Sequence, residues 1–191
     1  MLIFILFISL VISLGGLLGW ALYRCGFGIS PRLKTVSYYA VCFGEFDTKE
    51  QAETFAQSLQ LKGGAGFIAG ENNMVLASIY STKEQAESVI NNNTDYSGKV
   101  VVIDINDDYK NEQKILNNLI NLYIDYDKTQ DASLCIKSLD DICALAREQK
   151  FSRAGFYNHL SRMVNVVKNM QSNLGYGLKY LSVSVADFLA S

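Results

Sequence analysis

The sequence has little of the chemistry that most catalytic and metal sites need. Its 191 residues include one histidine, one proline and one tryptophan, and its four cysteines, at positions 25, 42, 135 and 143, form no C-x-x-C pair. No spacing of cysteine and histidine fits a zinc site. The one histidine, His159, belongs to no motif that ties it to a nucleophile. We therefore predict no metal, no cofactor and no catalytic residue in this chain.

An excess of either charge is also lacking. Seventeen Lys and Arg residues face 19 Asp and Glu residues, which gives a formal net charge of −2. Surfaces that bind nucleic acid need a basic excess, so no nucleic-acid partner is predicted. Cys135 and Cys143 would lie about 12 Å apart on one helix, which is too far for a disulfide. We predict that both are buried free thiols.

The N-terminal stretch is apolar and carries no charged side chain from Met1 to Leu22. A helix of this length is about 33 Å long, enough to cross a hydrocarbon core of about 30 Å. A cleaved signal peptide is the alternative, but no basic residue precedes the run and the run is longer than a typical signal core. We predict a transmembrane helix over 1–23, followed by a linker over 24–36.

A nearly identical repeat organises the middle of the chain. Residues 46–53 read FDTKEQAE and residues 80–87 read YSTKEQAE, an offset of 34 residues. In each copy a threonine, Thr48 or Thr82, is followed three residues later by glutamine, which is the pattern of a helix capping box. The repeat therefore predicts one structural unit used twice.

Strand patterns flank both predicted helices. Apolar and β-branched residues predict strands over 38–44, 65–69, 74–80 and 99–105, with helices over 48–62 and 82–91. The order β-α-β-β-α-β is that of the split βαβ, or ferredoxin-like, arrangement. It predicts a domain over 37–105 in which a four-stranded antiparallel sheet carries two helices on one face.

The remaining residues, 106–191, have the periodicity of helices. The pattern predicts one helix that begins at Asp107-Asp108 and ends near Tyr126, and others over 132–149, 153–173 and 178–189. Gly175 and Gly177 are expected to break the chain before the last helix. The Ser-Val-Ser-Val run at 182–185 leaves a strand open as the alternative there. The predicted fold class is α+β, with a transmembrane helix, the split βαβ sheet domain and an all-α C-terminal region.

Residues 39–52, YAVCFGEFDTKEQA, resemble the first half of a SPOR (sporulation-related repeat) domain. That family's first strand ends in a glycine and a phenylalanine before a helix capped by serine or threonine, with alanine at this offset. Residues 75–86, VLASIYSTKEQA, resemble the second half. The resemblance covers about 70 of the 191 residues.

The resemblance implies binding without catalysis. SPOR domains bind peptidoglycan glycan strands that lack stem peptides, on the sheet face away from the helices, at division or sporulation septa. It also implies a single-pass protein of the cell membrane with its bulk outside the cytoplasm, and we predict this location. Arg24, Arg32 and Lys34 follow the apolar run and by themselves favour the opposite orientation. Septal proteins or a second copy are further expected partners.

Strand alternation places the candidate glycan contacts. If Tyr39, Val41 and Phe43 face the helices, the neighbouring strand positions face the open side. By the same register Leu76 and Ser78 are predicted to share that side. The candidate glycan-binding residues are Tyr38, Ala40, Cys42, Leu76, Ser78 and Asp104.

Three departures from the family pattern make this face apolar. Cys42 replaces a glutamine, Leu76 replaces a polar or basic residue, and Ser78-Ile79 replaces Gly-Pro. An apolar sheet face beside a long helical extension predicts that the C-terminal helices, or a second copy, cover it. Two functions therefore stay open: a glycan-binding domain, and a membrane-anchored scaffold that works through protein contacts.

Overall fold

The computed structural model describes residues 34–170 and 173–191. These residues form four strands and six α-helices. In chain order they are β1 (Thr35–Gly44), α1 (Lys49–Leu61), β2 (Phe67–Ala69), β3 (Met74–Tyr80), α2 (Lys83–Asn92), β4 (Lys99–Asn106), α3 (Lys110–Thr129), α4 (Ala132–Glu148), α5 (Phe156–Lys168) and α6 (Leu174–Ala190).

The strands form one sheet in the order β2-β3-β1-β4. Each pair of neighbours is antiparallel. Helix α1 connects β1 to β2 and helix α2 connects β3 to β4, and neither pair of strands is adjacent in the sheet, as the split βαβ arrangement requires. The succession of elements over 35–106 is the one that the repeat predicted.

The predicted helix caps are confirmed in both copies of the repeat. The backbone N–H of Gln51 donates to Thr48 Oγ1 over 3.3 Å, and that of Gln85 donates to Thr82 Oγ1 over 3.4 Å. Both threonines have extended backbone conformations, which is the geometry that lets a side chain reach the third residue of the helix. The repeated sequence therefore defines where each helix begins.

Helices α1 and α2 lie on the sheet face that carries Tyr39, Val41 and Phe43. The ring of Phe43 lies 5.7 Å from that of Tyr96, which follows α2, and Tyr96 in turn lies 5.2 Å from Phe55 of α1. These aromatic contacts join the first strand to both helices. We call this side of the sheet the α1/α2 face.

The opposite face of the sheet is covered by α6. This helix packs against β2, β3 and β4 on one side and against α3 and α5 on the other. The ring of Tyr180 in α6 lies 5.4 Å from that of Phe67 in β2. Because Phe67 pairs with Leu76, and Leu76 with Cys42, these residues share the side that carries α6. We call this side the α6 face.

The end of the chain differs from the prediction in where its helices begin and end. The 182–185 run, for which a strand was the alternative, lies within α6. Gly175 and Gly177 do not break the chain but belong to the first turns of α6. A Cβ on Gly177 would lie 3.1 Å from Val167 Cγ1. The missing side chain thus allows α6 to approach α5 closely.

A register shift in β3 changes one predicted orientation. Val41 pairs with Ser78, whereas the next residue, Cys42, pairs with Leu76, so Ala77 is an extra residue in β3. Such a bulge interrupts the alternation of side chains. Ser78 therefore lies on the α1/α2 face, and the prediction that it shares a side with Leu76 is wrong.

The predicted fold class needs one correction. The described architecture is α+β with a four-stranded antiparallel sheet and six helices, and none of these helices is both long enough and apolar enough to cross a membrane. The predicted fold class, which counted a transmembrane helix among its elements, is not the one observed. The stretch where that helix was placed, 1–23, lies outside the described residues.

Candidate functional site

Four of the six predicted glycan contacts are buried beneath α6. Tyr38, Ala40, Cys42 and Leu76 lie on the α6 face and are at most 2 % exposed. The side chains that were expected to meet a sugar instead contact the protein's own helix layer. This part of the predicted glycan site therefore belongs to the hydrophobic core.

The polar side chains on the α6 face are buried. Burial raises the pKa of Tyr38, against an opposing effect of the Asn117 side chain in α3. The Cys42 thiol donates to the carbonyl oxygen of Gly44 over 3.2 Å, and burial likewise raises the pKa of this thiol. Neither group is presented to a ligand.

The other two predicted contacts lie on the α1/α2 face. Ser78 is buried there, and its hydroxyl has no hydrogen-bond partner among the described residues. Asp104 pairs with Ser37 in the register of β1 and β4, and it accepts a hydrogen bond of 2.6 Å from the Ser37 hydroxyl. Asp104 is exposed to solvent. The six predicted residues therefore do not converge on one site.

The structure brings together a different surface at the free edge of β2. A groove of about 580 Å³ follows this edge. One wall comes from α1. The other comes from α5, from α6 and from Met170, which follows α5 in the chain. We call it the β2 groove; its lining includes Glu53, Gln57, Gln60, Phe67, Ile68, Met163, Val166, Met170, Tyr176 and Tyr180.

The β2 groove is mainly apolar and aromatic. Tyr176 and Tyr180 meet edge to face, with ring centroids 6.0 Å apart. Val166 is 41 % exposed although it is a large apolar side chain. Among the lining residues, Glu53 alone carries a charge. Concave apolar surfaces with a few polar groups are the usual form of binding sites in proteins.

A second cluster, around His159, is a helix contact. Its Nε2 lies 3.1 Å from Ser184 Oγ, and its ring stacks on that of Phe188 with centroids 4.6 Å apart. Burial lowers the pKa of His159, and the charge of Arg162 lowers it further, against the opposing effects of Ser184 and Asp187. Ser184 is 6 % exposed, and the pair is part of the packing between α5 and α6.

Cysteine and acidic side chains form no ion site in the described ranges. Cys42, Cys135 and Cys143 are free thiols. Within residues 34–170 and 173–191, no group of three or more His, Cys, Asp and Glu side chains could hold a metal ion.

Sequence reasoning missed the β2 groove because its walls come from distant segments. Tyr176 and Tyr180 are spaced for one face of a helix, which was the available signal. That they lie beside β2 depends on how α6 crosses the sheet, and no local pattern encodes it.

No family model matches this chain, and neither a curated protein nor a solved structure is significantly similar to it. The geometry of the described residues is therefore the basis for a functional proposal.

Proposed function

We propose that this chain is a non-catalytic protein-binding module built on a SPOR-like sheet. In this proposal the sheet face that would hold a glycan strand has become part of the core. Partners are then bound on the remaining surfaces. Glycan binding, the other function that the resemblance implies, stays a prediction.

The observation that carries the proposal is the position of α6. This helix covers the sheet face on which Ala40, Cys42 and Leu76 lie, and all three are buried. A polysaccharide needs an open surface with polar groups and aromatic platforms. On this face the space that a sugar would occupy is filled by α6.

The covering helix does not have the character of a removable lid. The six consecutive residues from Leu181 to Ala186 are all buried, although neighbouring positions on a helix point to different sides. A helix that is apolar all round is a core element. Moving α6 would expose the sheet together with the inner surfaces of α3 and α5, so a glycan strand could not displace it without loss of the core.

The β2 groove supports a protein as partner. Its walls offer methionine, valine and aromatic side chains, which suit the side chains of another protein. Methionine is common on surfaces that bind varied peptides because its side chain is flexible and polarizable. This groove is open, whereas the α6 face is closed.

Cosedimentation with peptidoglycan sacculi tests the proposal. The full chain is incubated with intact sacculi and with sacculi from which an amidase has removed the stem peptides. We expect the pelleted fraction to be the same for both and no higher than without sacculi. Preferential pelleting with the denuded sacculi would overturn the proposal.

A pair of variants locates any glycan binding that is observed. Asp104→Ala removes the one exposed member of the predicted glycan site, and Asp125→Ala removes an exposed aspartate of α3 as the matched control. Equal pelleting of wild type and both variants at background is the expected result. Denuded-specific pelleting that only Asp104→Ala abolishes would restore the glycan-binding prediction.

A further inference from the structure

The β2 strand leaves its outer edge free within the described residues. It is the first strand in the order β2-β3-β1-β4, and β3 is its neighbour on the inner side. A free edge presents backbone N–H and C=O groups that can pair with another extended chain. Strand addition at such an edge is a recurrent way of binding peptides.

The two free edges of the sheet differ in how they are protected. On β4, Lys99 forms an ion pair with Glu45 over 2.6 Å, and Asp104 is also exposed. Charged side chains on an edge discourage pairing with another chain. The three residues of β2, Phe67–Ala69, carry no charge. The β2 edge therefore lacks the charged side chains that protect the β4 edge.

Helices overhang the β2 edge on both sides. Gln57 of α1 lines the groove from the α1/α2 face, while Val166 of α5 and Tyr180 of α6 line it from the α6 face. The edge therefore lies at the floor of the β2 groove. Because the side chains of an added strand alternate between faces, one set would contact α1 and the other would contact α5 and α6.

We propose that the β2 groove binds an extended peptide segment of a partner protein by strand addition to β2. The inference rests on the proposed protein-binding function and names its site and its ligand class. The apolar walls fit alternating apolar side chains in the peptide. Glu53, at one wall, favours a basic residue in that segment.

The shape of the groove selects a single strand over a second copy of this chain. In a two-fold pairing of β2 with β2, the overhanging α1 and α5 of one copy would meet the same helices of the other. These helices would keep the two strands apart. A peptide without flanking helices has no such obstacle.

The experiment uses a phage-displayed library of random decapeptides selected against the full chain. The most enriched decapeptide is synthesised, and its affinity is measured by isothermal titration calorimetry. A second version carries N-methyl groups on alternate backbone amides, which removes the donors needed for strand pairing and keeps the side chains. We expect the methylated peptide to bind at least tenfold more weakly.

Matched variants locate the site. Gln57→Arg and Val166→Asp alter the groove, and we expect each to weaken binding at least tenfold. Gln51→Arg on the exposed side of α1, and Leu134→Asp, which replaces an apolar residue that is 56 % exposed on α4, serve as controls without effect. All four positions are on the surface, and thermal melts check that each variant folds.

Several outcomes would overturn the inference: no enriched peptide, binding that survives methylation, or equal effects of groove and control variants. Dimerisation that Gln57→Arg abolishes would identify a second copy as the occupant. Competition by denuded glycan strands would identify a saccharide. A failed selection leaves the sacculus result unchanged, so the peptide inference and the protein-binding proposal fail separately.

Discussion

The two faces of the sheet use helices in different ways. On the α1/α2 face, each helix presents one buried stripe and leaves its outer side in water, so that Ala86 is the one fully buried residue of α2. On the other face, α6 is buried along most of its length. The α1/α2 face is an ordinary outer layer, whereas α6 is a middle layer with the sheet on one side and other helices on the other.

The difference shows how one sheet fold can lose or gain a binding surface. The two helices of the repeat cover one face of the sheet, and the second face can then be covered either by a ligand or by another part of the chain. In this chain the C-terminal helices cover it. The surface left for a partner is then an edge of the sheet.

The largest expected effect tests whether α6 is the centre of the core. Leu181→Ala removes a fully buried side chain of α6, and we expect it to lower the free energy of unfolding by about 3 kcal/mol because a cavity is left. Leu61→Ala, at a residue of α1 that is 91 % exposed, should change it by less than about 0.5 kcal/mol. Urea denaturation measures both, and equal effects would contradict the middle-layer description.

The next effect concerns the attachment of α3 to the sheet. The buried Tyr123 hydroxyl donates to the carbonyl oxygen of Ile79. Tyr123→Phe leaves that oxygen without this donor, and we expect a loss of about 1 to 2 kcal/mol in the free energy of unfolding. Tyr157→Phe removes an exposed hydroxyl bonded to Arg147 and is the control, for which little change is expected. A loss no larger than the control's would indicate that the bond does not secure α3.

The stability of the layer formed by α1 and α2 should depend on the caps of these two helices. Thr48→Ala and Thr82→Ala each remove the side-chain acceptor at the start of a helix, and each should cost about 1 kcal/mol of unfolding free energy. Thr48→Ser and Thr82→Ser keep an acceptor and should restore most of it. Chemical denaturation followed by circular dichroism measures the four variants. A serine variant as unstable as its alanine counterpart would contradict the capping role.

The smallest effect is a pH dependence in the α5–α6 contact. The pKa of His159 is lowered in the folded protein, first by burial and then by Arg162. Below about pH 6.5, where an ordinary histidine takes up a proton, the unfolded chain therefore binds more protons than the folded one. The stabilising contribution is present above that pH and is lost as the pH falls.

We expect the wild type to lose more stability than His159→Gln between pH 7.5 and pH 5.5, a range that includes the ordinary histidine pKa of about 6.5. Denaturation at the two pH values gives the comparison. Because His159 is the one histidine of the chain, no other histidine contributes to the difference between the slopes. Parallel slopes would show that burial of His159 does not couple to folding.

Much of the sheet region followed from local patterns. The capping threonines and the apolar alternation are short-range signals, and they placed α1, α2 and the four strands to within a few residues. The site did not follow in the same way. Alternation fails at Ala77, where the bulge turns Ser78 to the other face. The β2 groove joins residues separated by more than 100 positions, from Glu53 to Tyr180.

By itself, the sequence determined the repeat, the helix caps and the split βαβ order, because capping and side-chain alternation act between residues close in the chain. It also determined that the second sheet face is apolar, through Ala40, Cys42 and Leu76. Only the tertiary structure decided that α6 covers this face and that the β2 edge remains open in a groove. The reason is physical: an apolar face requires burial, but which element buries it depends on how the whole chain packs.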